Sequence, residues 1–147
     1  MTDAPIVFNQ INLIVKDMDA TIAFFARLGL RAPEAPVWPP GSGARHAEIM
    51  MPNGVRLEFD NHEMARIWHP GWSPTQAATR AVLGFSLPSR EAVDARYDNL
   101  VSAGYFGQEP PHDAFWGARY AIVRDPDGNH VGLMSPIDPQ RRFTPTA

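Results

Sequence analysis

Glu58, His46 and His130 are the residues whose type and setting suit acid–base or metal chemistry. Glu58 alternates with Leu57 and Phe59. If those two face a helix, Glu58 faces a cavity together with the Arg56 and Asp60 positions of its strand. A carboxylate there fits two roles: pairing with an arginine or with solvent at a wide mouth, or anchoring a ligand or acting as general base. His130 precedes Gly132 by two and shares its face, and His46 can join it from a neighbouring hairpin. A surface or edge histidine fits that spacing equally. Asp125-Pro126-Asp127-Gly128 offers two carboxylates, yet its proline and glycine sit where a bend wants them, so it reads as a turn rather than a metal loop. His62, His69 and His112 fall in irregular segments and are given no role.

Gln10, Asn12, Gly84 and Ser86 alternate with Ile11, Leu13, Leu83, Phe85 and Leu87, which makes them a polar, small-residue floor. Such a floor leaves room for a ligand, or its groups bond one another and ordered water. Trp38, Trp68, Trp72, Phe115 and Trp116 are expected in loops or at strand starts, where large rings wall a cleft, seal sheet ends or meet a partner. The residues expected to bind a ligand are Gln10, Asn12, Trp38, Glu58, Ser86, Trp116 and His130. A flat apolar or aromatic molecule with one polar or cationic group suits them.

The elements that must position these residues follow from periodicity. Ile11, Leu13 and Val15 recur at period two, as in a strand with one apolar face. Asp17 or Asp19 then caps a helix carrying Ile22, Phe25 and Leu28, which Gly29 stops. Residues 31–44 hold four prolines and two glycines, too broken for more than a short edge strand around Val37 and Trp38. His46 to Met51, the Asn53-Gly54 turn and Val55 to Asp60 read as a hairpin. A second pass repeats the order: a strand at Val82 to Leu87, a helix capped by Ser89 and ending at Gly104, a proline-broken stretch from Gln108 to His112, and a hairpin from Tyr120 to Met134.

Gly54 and Gly128 stand at matched places of an internal repeat of 74 residues. The expected fold is α+β, two tandem βαβββ modules forming curled sheets around a cavity. Residues 1–147 make one domain, with module one about 6–61, a crossover about 62–80, module two about 81–136 and a tail 137–147. The crossover is read as free of core secondary structure.

A chain of 147 residues buries a core without staples, and the absence of cysteine removes disulfides and thiol chemistry. A net charge of −3 with dispersed arginines gives no footprint for nucleic acid. No run approaches the roughly 18 apolar residues of a membrane span. The start, Met1-Thr2-Asp3-Ala4-Pro5, has no basic region followed by an apolar run, so a cytoplasmic protein is expected.

Gln10 through Asp17 continuing to Phe24-Phe25-Ala26-Arg27-Leu28-Gly29, with Trp116-Gly117-Ala118-Arg119-Tyr120 before Asp125-Pro126-Asp127-Gly128-Asn129, resembles the opening and closing of vicinal oxygen chelate proteins. That superfamily includes glyoxalases, extradiol dioxygenases and bleomycin-resistance proteins. The resemblance covers about residues 6 to 136 and implies ligand places on the first and last strand of each module: Gln10, Glu58, Val82 and Gly132. Val82 and Gly132 have no coordinating side chain, so no metal and no cofactor is expected. The resemblance implies a metal-independent small-molecule-binding protein. The alternative is a lyase, isomerase or dioxygenase using Glu58 with a non-standard metal site or acid–base pair drawn from Gln10, His46 or His130, the catalytic residues being otherwise unknown. A homodimer is expected from the aromatic and proline-rich crossover and from the pairing common in the family.

Overall fold

The structure, a computed structural model, describes residues 10–68, 73–74 and 82–144. The chain divides into two compact units, Met1–Gln76 and Ala77–Ala147.

The first unit runs β1 (Gln10–Val15), α1 (Met18–Leu28), β2 (His46–Met50), β3 (Arg56–Asn61) and α2 (His62–Trp68). Its sheet has the order β1-β3-β2, with β1 parallel and β2 antiparallel to β3. Of the two candidate caps, Asp17 serves: its carboxylate accepts from the Ala20 amide at 3.0 Å, while Asp19 pairs with Arg45. Leu57, Phe59, Ala47 and Ile49 bury one face of the sheet with Phe24, Phe25 and Leu28 of α1, and the Phe25 ring stacks on Phe59 at 4.9 Å. Burying rings and aliphatic chains of this size contributes about 1.5–3 kcal/mol each, which fixes which residues must point the other way. Where the module's second strand was expected, around Val37, a single bridge joins Val37 to Arg45.

Helix α2 corrects the reading of the crossover as free of secondary structure. His62 to Trp68 contains neither proline nor glycine, and the Asn61 side chain caps the turn by accepting from the Met64 amide at 3.0 Å. Trp68, expected outside any helix, is its last residue.

The second unit runs β4 (Val82–Ser86), α3 (Arg90–Ser102), β5 (Gly107–Asp113), β6 (Arg119–Arg124) and β7 (His130–Met134), followed by a short 3-10 turn at Pro139–Arg141. The sheet order is β4-β7-β6-β5, with β4 parallel to β7. Ser89 caps α3 as expected, accepting from the Ala92 amide. Leu83, Ala121, Val123, Val131 and Leu133 are buried on one face, as are Val93 and Leu100 of α3. The stretch read as merely proline-broken is the strand β5. Its Pro110 and Pro111 are tolerated because β5, among the described residues, pairs on one side alone, with β6, and its register shifts twice along the way.

Both units pair their first and last strands in equivalent register. Gln10 faces Arg56, two residues before Glu58, and Val82 faces His130, two residues before Gly132. Gly54 and Gly128 close both hairpins at φ of 89° and 85°, a region costly for other residues. Asp125 anchors the second turn, its buried carboxylate accepting from the Asp127 amide, the Asn129 amide and the Asn129 side chain at 2.8–3.0 Å. No helix among the described residues is long and apolar enough to cross a membrane.

Candidate functional site

In the first unit the residues alternating with the core row make a polar face: Gln10 and Asn12 on β1, Arg56, Glu58 and Asp60 on β3, His46 and Glu48 on β2. The register sets Glu58 between Asn12 on one side and Glu48 on the other. Glu58 is 7% exposed. Burial raises its pKa, His46 and Arg56 lower it, and the neighbouring Glu48 raises it, the net direction being upward. Arg56 gives a guanidinium nitrogen to Gln10 Oε1 at 2.7 Å.

His46 is oriented from behind. Its Nδ1 donates to Asp60 Oδ1 at 2.6 Å, and Asp60 Oδ2 accepts from Asn12 Nδ2 at 2.8 Å. With the proton of a neutral imidazole held at Nδ1, the Nε2 lone pair is left toward the carboxylates, 3.8 Å from Glu58 Oε1 and 3.9 Å from Glu48 Oε2. The donor atoms of His46, Glu48 and Glu58 all lie within 4.8 Å of one another. Asn12 Oδ1 is buried without a hydrogen-bond partner.

The second unit's corresponding face is aromatic. Tyr120 on β6 lies over Gly132, where an added Cβ would sit 2.7 Å from its hydroxyl and 3.1 Å from a ring carbon. Burial raises the Tyr120 pKa. Trp116 meets Tyr120 edge-on at 5.2 Å and donates its indole N–H to Met134 Sδ at 3.3 Å, and Phe115 packs edge-on against Trp116. The C-terminal tail braces this loop: Phe143 donates its amide to the Phe115 carbonyl and Arg142 its guanidinium to the Trp116 carbonyl.

The expected ligand-binding residues therefore fall into separate groups. Gln10, Asn12 and Glu58 share the first sheet's polar face. Ser86 and His130 share a face with Gly132 and Met134 in the second, beside Trp116. Trp38 stands in a loop of the first unit, 66% exposed. Trp72 and the Trp68 side chain lie outside the described residues. Sequence reasoning missed Glu48 and Tyr120. Strand alternation from His46 reaches Glu48, whereas Tyr120 requires the register of its hairpin.

Residues 7–133 match the model of the Glyoxalase/Bleomycin resistance protein/Dioxygenase superfamily. The chain belongs to that superfamily. Uncharacterised proteins of Mycobacterium bovis and Mycobacterium tuberculosis are 24% identical over 127 residues, covering 86% of this chain and 81% or 72% of theirs. A glyoxalase/bleomycin resistance protein/dioxygenase family enzyme from Burkholderia phytofirmans has a similar fold, with a TM-score of 0.72 at 17% identity over 87% of this chain and 97% of that one. A hypothetical protein of S. aureus gives 0.71 at 16% identity over 91% and 96%. These likenesses carry the fold.

The metal that the superfamily implies does not fit its four places here. Gln10 is engaged by Arg56, Val82 is an aliphatic residue, and Gly132 has no side chain and is covered by Tyr120. Of the four, Glu58 alone keeps a donor that could coordinate, and one carboxylate does not hold a metal.

Proposed function

We propose that the protein is a small-molecule-binding member of the glyoxalase and bleomycin-resistance superfamily that works without the family's four-place chelate. The observation that carries this reading is Tyr120 lying over Gly132: a phenol ring fills the space where a coordinating side chain would project. In place of a chelate the second unit offers Trp116, Tyr120 and Phe115, rings suited to a flat aromatic or apolar molecule. Ser86 and His130 lie on that face as its polar contacts, and Gln10, Asn12 and Glu58 are the polar contacts offered on the first unit's face. Trp38 belongs to the proposal as an exposed ring able to stack. A cytoplasmic homodimer completes the reading.

A second reading, a lyase, isomerase or dioxygenase with Glu58 as acid or base, draws on one observation: burial holds the Glu58 carboxyl above its usual range.

Tryptophan fluorescence titration with a panel of planar aromatic compounds tests the binding reading. Trp116→Ala, for a compound held at the second unit's rings, or Glu58→Gln, for one held at the first unit's polar face, is expected to weaken the hit about tenfold to a hundredfold, corresponding to about 1–3 kcal/mol. If both variants stay folded and neither changes affinity, the reading fails.

A further inference from the structure

We propose that His46, Glu48 and Glu58 form a binding site for one divalent first-row transition ion, built inside the first unit's sheet and sharing only Glu58 with the four family places. One imidazole nitrogen and two carboxylates come from paired strands, with donor atoms within 4.8 Å of one another. An imidazole among carboxylates suits zinc, manganese, iron, cobalt or nickel better than the all-oxygen surroundings preferred by calcium and magnesium. Asp60 on Nδ1 with Asn12 behind it is the carboxylate–histidine arrangement that orients a metal-binding imidazole.

The distances are close to those of a loaded site. Ligand atoms about 2.0–2.2 Å from an ion and tetrahedrally disposed lie about 3.3–3.6 Å apart. The separations of 3.8 Å and 3.9 Å from His46 Nε2 need only small torsions of the carboxylate side chains, with Glu48 38% exposed and His46 40% exposed but held by Asp60. Their exposure also leaves one side of the site open to solvent or a further ligand.

Two independent observations point to an occupant. Glu58 is over nine-tenths buried with the Glu48 carboxylate opposite it in the register, and the one cationic partner this close to either carboxylate is His46, 3.8 Å from Glu58 and 3.9 Å from Glu48 among the described residues. A cation between them removes that repulsion and compensates the buried charge. Asn12 Oδ1, opposite Glu58 on the other side, is buried and unpartnered, and water bound to an ion supplies the missing donor.

The expectation that no metal binds rested on Val82 and Gly132, neither of which belongs to this group. The inference deepens the binding reading by giving Glu58 a cation to hold. Its test uses metal alone, so the two stand or fall separately. Metal-stripped full-length protein is titrated with cobalt(II), followed by visible absorption, and with zinc(II), followed by calorimetry. One equivalent per chain is expected, weakened at least about tenfold by His46→Ala and by Glu48→Gln and about tenfold to a hundredfold by Asp60→Asn, with His112→Ala unchanged. Glu48→Gln alters a half-exposed side chain, and circular dichroism verifies its fold. Absence of saturable binding to millimolar cobalt, or binding unchanged in both folded His46→Ala and Glu48→Gln, overturns the proposal.

Discussion

At Asp125 three hydrogen bonds favour the carboxylate, burial disfavours it, and burial wins, leaving the pKa raised above its ordinary 3.8. A carboxyl whose pKa is higher in the folded than in the unfolded chain binds its proton more tightly when folded. It therefore costs stability as pH rises from about 3.8 through the raised value, and below that window it costs nothing. Relative to Asp125→Asn, the unfolding free energy of the wild type is expected to fall between pH 4 and pH 7, and urea melts at the two pH values measure it. Asp125→Ala is expected to lose about 1–3 kcal/mol at either pH, because two amides of the turn lose their acceptor. Melts showing no pH dependence in the difference would count against the assigned direction. Among individual residues, Glu58 and His46 were legible from alternation, since one apolar row on a strand dictates the other. Glu48 obeys the same rule, two residues from His46 on the same face, but it stands outside the family's four ligand places. Tyr120 was not legible: its importance depends on its ring filling the space beside Gly132, which appears once two strands are set in register.

The elements divide in the same way. β1, α1, α3 and both hairpins follow from periodicity, aspartate and serine caps, and Asn-Gly or Asp-Gly turns, all local signals. β5 and α2 escaped, the first because edge pairing tolerates prolines that local reasoning treats as breakers, the second because a seven-residue helix has too few turns to display a period. The tail also gains a role. Gly117 has φ of 96°, an added Cβ would collide with the Asp138 carbonyl oxygen, and the Asp138 amide donates to the Gly117 carbonyl at 2.9 Å. Gly117→Ala combines left-handed strain with that collision, so a loss of about 1–3 kcal/mol is expected by chemical denaturation, with a red shift in Trp116 emission as its contact with Met134 opens. An unchanged midpoint and spectrum would show that the tail does not brace the loop.

For the molecule as a whole, one register serves two chemistries: the first sheet's polar face carries Arg56, Glu58, Asp60, His46 and Glu48, while the second's sets Tyr120 beside small, apolar and neutral polar residues such as Gly132, Met134 and Ser86. Val37, Trp38, Met50, Phe115 and Phe143 are each close to half exposed or more, apolar surface that a second copy would cover. Sedimentation at micromolar concentration is expected to give a mass above the 16.3 kDa of one chain, and a concentration-independent value at that mass would refute the dimer. The packing of Tyr120 on Gly132 bears finally on how such a chain can change. A donor introduced first at position 132 has to displace Tyr120, because every side chain there begins with the atom that meets the phenol. Shrinking position 120 removes that obstacle before position 132 grows. A library varying 132 alone is expected to yield fewer folded carboxylate or imidazole variants than one varying 120 and 132 together, so the order of substitutions, as well as the donor still lacking at Val82, separates this chain from a four-place chelate.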